Sequence, residues 1–155
     1  MSMNIPKDKV EVYAQALKDI QEENKGILNT RNIVDEARYP HHPLHEYFEW
    51  NDGKAGEEYR LQQARFLVRT VEVEIISPEG PITEKAYVNV DVVTDSGVQQ
   101  NYVSLQTALK DDNYRLQIFA KALREINYWK DKYKHYERLA PIFRAVDLVN
   151  RVAKG

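Results

Sequence analysis

The first 70 positions carry apolar residues at the spacing of one helix face. Glycine ends helices, the residue before a proline avoids helical geometry, and aspartate can cap a helix start, so Gly26, Pro40 and Asp52 mark boundaries. Pro43 suits a first helical turn. This pattern predicts four helices, over residues 6–24, 30–39, 43–50 and 52–69.

At Thr70 the period changes from helical to two. Val71, Val73 and Ile75 alternate with polar residues, and two later segments show the same alternation. A Pro/Gly-rich turn separates the first two segments, and Thr94 to Gly97 has the composition of a hairpin turn. We therefore predict a three-stranded antiparallel meander over residues 70–75, 86–92 and 98–103.

The last third returns to helical spacing. Ser104 can cap a short helix, and Asp111 or Asp112 can cap a long one. Pro141 either kinks the long helix or begins a last one. The predicted fold class is α+β and mainly helical, with a helix-turn-helix-like N-terminal region, the central meander and a long C-terminal helix or helical hairpin. We expect a single domain made of residues 1–69, 70–103 and 104–155.

The amino-acid composition indicates the cellular compartment and the kind of partner that the surface could bind. The 155 residues include no cysteine, which favours a reducing compartment, and no stretch long and apolar enough for a signal peptide or a membrane span. We expect a cytoplasmic protein without membrane contact. Charge is uneven, because residues 70–112 have a net charge of −6 and residues 113–155 a net charge of +6. Such asymmetry is typical of a surface that meets a polyanion or a complementary protein patch.

Candidate catalytic and metal-binding residues are few in this sequence. The segment HHPLHE offers His41, His42, His45 and Glu46, but Pro43 interrupts any common direction of the three imidazoles, so we predict no metal site. No serine has a nucleophile-elbow context, and each glycine is explained by a turn or a helix end. We predict a protein that is not an enzyme and has no cofactor.

Two segments carry side chains suited to DNA. Arginine pairs with guanine and glutamine with adenine in the major groove, and lysine neutralises phosphate. The helix 53–69 is expected to present such side chains outward, and the helix after residue 127 adds basic ones. The candidate DNA contacts are Arg60, Gln62, Gln63, Arg65, Arg69, Lys130, Lys134 and Arg138. A solvated helix face is the alternative for both segments.

An aromatic and aliphatic stripe follows steps of three and four along the long C-terminal helix. Aromatic residues are common at interfaces because they bury large area while a polar tip stays satisfied. We therefore expect a homo-oligomer, unless Pro141 folds the last helix back over the stripe. The predicted interface residues are Phe119, Ile126, Trp129, Tyr133 and Tyr136.

Residues 40–71 contain a Pro-Leu-His, Phe-Glu-Trp, Ala-x-x-x-Tyr-Arg-x-x-Gln-Ala-Arg pattern. The matching residues are Pro43, Leu44, His45, Phe48, Glu49, Trp50, Asp52, Ala55, Tyr59, Arg60, Gln63, Ala64 and Arg65. This pattern resembles that of small uncharacterised proteins of tailed bacteriophages and prophages, in which short strands and a helical C-terminus follow. The resemblance implies a phage origin, and thus the host cytoplasm, and it assigns no activity to any residue.

These observations lead to two functional hypotheses. The first is a non-enzymatic phage accessory protein that binds double-stranded DNA through the helix-turn-helix-like region, as an oligomer. The alternative is a module for protein interaction or virion assembly, which binds a phage or host protein and no nucleic acid. A salt-dependent shift of duplex DNA separates them, because phosphate contacts release counterions and weaken with salt.

Overall fold

The computed structural model describes residues 5–54 and 56–154. The chain forms two compact units, residues 1–111 and 112–155. The N-terminal unit contains α1 (Val10–Glu23), β1 (Ile27–Leu28), α2 (Thr30–Ala37), α3 (Glu57–Thr70), β2 (Glu72–Ser77), β3 (Gly80–Lys85), β4 (Tyr87–Thr94), β5 (Gly97–Ser104) and α4 (Leu105–Lys110). The C-terminal unit contains α5 (Asp112–Tyr133) and α6 (Ala140–Lys154), with a 3-10 turn at Glu137–Leu139 between them. The predicted α+β class is confirmed.

Local sequence explains several element boundaries. Helix α1 ends where Lys25 and Gly26 take positive φ angles of 58° and 83°, and the Gly26 amide donates to the Gln21 carbonyl at 2.9 Å. The Asn29 side chain caps α2 by accepting from the amides of the second and third residues after it. Ser104 caps α4 by accepting from the Thr107 amide at 3.1 Å. The predicted helix end at Gly26 and the predicted cap at Ser104 are confirmed.

The predicted three-stranded antiparallel sheet exists, but its membership differs. The order is β1-β5-β4, and β2 pairs with β3 in a separate antiparallel hairpin. Strand β3 was not predicted, because its residues from Gly80 to Lys85 include a proline and only one large apolar side chain. Strand β1 has two residues, too few for a period to be read. Strand register therefore depends on tertiary pairing that the alternation does not reveal.

The helix predicted over residues 43–50 is wrong. Only His45–Tyr47 forms a 3-10 turn, and the following helix begins at Glu57 rather than near Asp52. The described part of the segment between α2 and α3 is otherwise irregular, since side chains rather than helical hydrogen bonds hold it. The helix-turn-helix-like pair expected from the predicted helices 43–50 and 52–69 is therefore not formed, because the first of them is only a 3-10 turn and α3 begins at Glu57.

A dense core lies in the N-terminal unit. Helices α1, α2 and α3 bury large aliphatic side chains against one another and against β1 and the segment before α3. Close packing of this kind makes each buried methylene count toward stability. The fully buried large residues are Leu17, Ile20, Leu28, Ile33, Val34, Leu44, Leu67, Val68 and Val103.

Helices α5 and α6 form the helical hairpin that the sequence left as one alternative. Asn127 and Asn150 exchange side-chain hydrogen bonds of 2.9 and 2.7 Å, and Lys130 forms an ion pair with Asp147. Polar pairs therefore fix the register of the two helices. Among the described hydrophobic residues of this unit, the buried ones are Phe143 and Val146.

Candidate functional site

Helix α3 does not present its arginine and glutamine side chains as predicted. The expectation that Arg60 and Gln63 face outward is wrong, because both residues are buried and the Arg60 side chain is only 5% exposed. Both lie on the face of α3 that packs against the preceding segment, because the helical period places them beside Leu67 and Ala64. Neither side chain is available to a base edge in this conformation.

The buried guanidinium of Arg60 belongs to a cluster around the Trp50 indole, which we call the Trp50 cluster. Arg60 donates to Asp52 Oδ1 at 2.6 Å and to the Glu49 carbonyl at 3.2 Å, and its guanidinium lies 5.4 Å from the indole centroid. The His45 ring stacks on the indole at 5.1 Å, and the indole Nε1 donates to the His45 carbonyl. Arg60 thus has ionic, hydrogen-bonding and aromatic partners within its own unit.

A shared carboxylate links the Trp50 cluster to α2. Glu57 Oε2 accepts from Arg38 at 2.5 Å and from Arg60 Nε at 3.4 Å. The hydrogen bond from Arg38 holds the pKa of Glu57 below its usual value, and the same bond raises the pKa of Arg38. The ionised carboxylate therefore ties α2 to the start of α3.

The Gln63 side chain also binds the backbone of the segment before α3. Its amide nitrogen donates to the Tyr47 carbonyl at 3.3 Å, and its amide oxygen accepts from the Glu49 amide at 3.4 Å. The Tyr47 hydroxyl donates back to the Gln63 carbonyl, and burial raises the pKa of Tyr47 to about 12. The residues that carry the phage-like motif therefore hold an irregular segment on α3.

The remaining DNA candidates of α3 are exposed. Gln62, Arg65 and Arg69 point to solvent, with Arg69 Nε donating to the Arg65 carbonyl one turn earlier. They share one face of the helix with Glu58, which lies in its acidic first turn. The DNA contacts predicted for these three side chains stay predictions.

Two histidines of the segment HHPLHE form hydrogen bonds within the fold. His45 Nδ1 lies 2.7 Å from the Ala37 carbonyl, and His42 Nδ1 accepts from the Leu44 amide at 3.2 Å. Burial lowers the pKa of His42. Within residues 5–54 and 56–154 no group of three or more histidine or acidic side chains is arranged to hold a metal ion.

The hairpin of α5 and α6 exposes an apolar face. On α5, Phe119 is 47% and Ile126 is 44% exposed, and Trp129 is at the margin of exposure. On α6, Ile142 and Val149 are exposed as well. Successive helix residues are about 100° apart. On each helix, the stripe of exposed apolar residues therefore lies about a quarter to a third of a turn before the residues that contact the other helix. Since the helices are antiparallel, both stripes lie on the same side of the hairpin, where they form what we call the hairpin face.

The two tyrosines predicted for the interface differ in position. Tyr133 is half-buried and contacts the Trp129 ring at 5.4 Å, whereas Tyr136 lies beyond the end of α5 and is exposed. Trp129 also contacts Phe143 of α6 at 5.7 Å. The folded-back α6 therefore covers only part of the stripe, and Phe119, Ile126 and Trp129 remain available to a partner.

Several basic side chains of α5 lie away from the hairpin face. On α5 the helical period puts Lys121, Arg124 and Lys132 on the opposite side from the apolar stripe, and all three are exposed. Of the predicted phosphate contacts, Lys130 forms an ion pair with Asp147, while Lys134 and Arg138 are exposed. The hairpin is thus apolar on one side and basic on another.

Sequence reasoning missed a groove in the N-terminal unit. It has a volume of about 830 Å³ and runs between α1, β2 and the start of α4. The groove could not be predicted because β3, which pairs with β2 in the hairpin, shows no alternation of apolar and polar residues. Alternation alone could have shown that β2 has one apolar and one acidic face, but not that its edge lies beside α1.

The sequence matches no protein-family model, and no similar protein was found among curated proteins or solved structures. No helix among the described residues is both long and apolar enough to cross a membrane. The physical properties of the surfaces described above are therefore the basis for a functional proposal.

Proposed function

We propose that the protein is a non-enzymatic assembly module that self-associates through the hairpin face. The observation that carries the proposal is the exposed stripe of Phe119, Ile126 and Trp129 beside a helix that already covers part of it. Large apolar side chains that remain exposed side by side are typical of protein interfaces. The resemblance of residues 40–71 to phage proteins supports a role in a phage-encoded assembly.

The size of the C-terminal unit favours a second copy as the partner. Chains of about 40 residues bury too little surface to be stable without disulfides, metals or association. This unit has 44 residues, and only Phe143 and Val146 are buried among its described hydrophobic side chains. Two hairpins that meet through their apolar faces make a four-helix bundle, in which each face covers the other. The basic side chains then stay on the outside.

Sedimentation equilibrium of the full chain tests the proposal. Wild-type protein is expected to reach a dimeric or larger mass at tens of micromolar. Ile126→Glu should give a monomer, because a carboxylate at the centre of the face would be buried without a partner. The matched control is Tyr128→Glu, which changes an aromatic residue that is 73% exposed on the opposite side of α5.

Each result decides the proposal. Dissociation by Ile126→Glu with an unchanged mass for Tyr128→Glu supports the hairpin face. A monomeric wild type at 100 µM overturns self-association, and equal dissociation by both variants overturns this particular face. Far-ultraviolet circular dichroism checks that both variants retain their helices.

Nucleic-acid binding is a second candidate, relocated from α3 to the C-terminal unit. Residues 112–155 carry ten basic and five acidic side chains, and the exposed bases on α5 lie away from the hairpin face. Self-association would therefore leave these basic side chains accessible, and a dimer would carry two copies of them. Binding of duplex DNA should weaken steeply with salt, and Lys121→Glu with Arg124→Glu should abolish it. No shift at physiological salt leaves assembly alone as the function.

A further inference from the structure

The outer edge of β2 is open along the groove in the N-terminal unit. Glu72, Val73, Glu74 and Ile75 all line this groove, although alternate residues of a strand point to opposite faces. Consecutive residues line one cavity when the cavity follows the edge of the strand. The helix α1 forms the opposite wall, and the start of α4 closes one side.

Backbone groups on this edge are unpartnered. The Ala86 amide donates to the Val71 carbonyl at 3.0 Å, which fixes the hydrogen-bonded pairs of the β2–β3 hairpin. In an antiparallel pair these alternate along the strand, so the amides and carbonyls of Glu72, Glu74 and Ile76 point away from β3. No backbone partner for them occurs within residues 5–54 and 56–154. Three successive outward pairs can accept a further strand.

The other edge of the same hairpin is less suited to such pairing. Pro81 of β3 lies opposite Ile76, in a pair whose backbone groups also point outward. Its nitrogen carries no hydrogen, so it cannot donate to a neighbouring strand. The groove follows β2 and not β3. The β2 edge therefore has both a continuous row of outward amides and a groove beside it.

Side chains around the groove define what can occupy it. The apolar lining comes from Val71, Val73 and Ile75 of one strand face, together with Leu105 and Leu109. The charged lining consists of four carboxylates, Glu11, Glu22, Glu72 and Glu74, and one ammonium, Lys18. Lys18 lies 4.0 Å from Glu22, and Lys85 pairs with Glu72 from β3 at 2.9 Å. Glu11 and Glu74 have no ion pair within residues 5–54 and 56–154.

From this arrangement we infer that the β2 edge binds an extended, basic segment of another protein, as an added strand. Alternate side chains of the added strand would lie over the apolar lining and beside the carboxylates, so apolar and basic residues should alternate in it. A second copy of β2 is disfavoured, because Glu72 and Glu74 would face like charges. The partner is thus a different sequence of opposite charge.

A labelled peptide of the sequence KVKVKVK, with both ends blocked, tests the inference against the full chain by fluorescence anisotropy. Saturable binding is expected, with KSKSKSK and EVEVEVE weaker because each lacks one of the two features. Glu74→Pro should weaken binding about tenfold relative to Glu74→Gln, because both remove the charge but only proline removes the outward amide. Thr83→Pro, on the β3 edge of the hairpin away from the groove, is the matched control and should bind as wild type.

Hydrogen exchange measured on wild-type protein provides a second test that needs no variant. The amides of Glu74 and Ile76 should exchange more slowly when the peptide is bound. Equal affinity for Glu74→Pro and Glu74→Gln, or unchanged exchange at these amides, overturns strand addition. Equal affinity for KVKVKVK and KSKSKSK overturns the role of the apolar lining. These outcomes do not depend on the mass of the protein, so they are distinct from a failure of self-association.

Discussion

The two units are built on opposite principles. The N-terminal unit buries a continuous set of aliphatic side chains and uses its polar side chains to fix irregular backbone, as Arg60 and Gln63 do. The C-terminal unit has two long helices held by an asparagine pair and an ion pair, and it leaves most of its apolar residues exposed. One unit covers its own apolar side chains, whereas we propose that the other covers them with a second copy.

This difference teaches that exposure of a residue type depends on the interior that its unit can build. Arg60 and Gln63 on α3 are buried because a long segment without regular structure needs their hydrogen bonds. Phenylalanine and isoleucine on α5 are exposed because only one helix packs against them.

The same substitution in the two units should have very different costs. Leu67→Ala removes a fully buried side chain and should lower the free energy of unfolding by roughly 3 to 4 kcal/mol. Leu116→Ala, at a position 67% exposed, should change it by less than about 0.5 kcal/mol. Urea unfolding followed by circular dichroism measures both. A large effect at Leu116 would mean that the C-terminal unit has a closed interior.

Removal of the buried Arg60 guanidinium should have the second largest effect on stability. Arg60→Ala should cost roughly 2 to 3 kcal/mol, less than for a fully buried ion pair, because the freed Asp52 is exposed and water can solvate it. Arg65→Ala, on the exposed face of the same helix, is the control and should lie within about 0.5 kcal/mol of wild type. Thermal unfolding at fixed protein concentration compares the two variants. Equal stability of both would contradict a structural role for the Trp50 cluster.

The asparagine pair of the hairpin should show a smaller effect. Asn127→Ala leaves Asn150 without its side-chain partner and should cost about 1 kcal/mol. Asn127→Leu combined with Asn150→Leu should be neutral or stabilising, because both partners are replaced by apolar groups. Hydrogen exchange of α5 amides reports the stability of this unit separately. A double variant less stable than Asn127→Ala would contradict this interpretation.

The smallest expected effect is a change in acid sensitivity. Arg38 and Arg60 keep the pKa of Glu57 below its ordinary value of 4.5, so the carboxylate adds stability that is fully present above that value. This stability is lost as pH falls through the lowered pKa. Glu57→Gln should therefore lose less stability than wild type between about pH 5 and pH 3. Arg38→Met should have the same effect on the slope, and a slope equal to that of wild type in both variants would exclude the interaction.

Sequence periodicity predicted the long regular elements and failed where tertiary contacts decide. Helices α1 and α5 and strands β4 and β5 follow from spacing, because one face of each meets a different environment from the other. The two-residue β1 exists through pairing with the distant β5, and the polar β3 through its hairpin with β2. The outward direction assigned to Arg60 and Gln63 failed because polarity alone does not show which backbone groups need a donor.

The cap of α2 also bears on the order in which the N-terminal unit folds. Asn29 caps this helix with its amide oxygen, while its amide nitrogen donates to the buried Asn101 side chain, 72 positions along the chain, at 2.6 Å. The contacts of Arg60 and Gln63 close loops of 8 to 16 positions and can form early, since short loops lose little entropy. The Asn29–Asn101 hydrogen bond can form only after β5, which carries Asn101, has docked beside β1. In refolding kinetics, Asn101→Ala should accelerate unfolding and leave the folding rate nearly unchanged, whereas equal changes in both rates would mean that the bond is already half formed in the transition state.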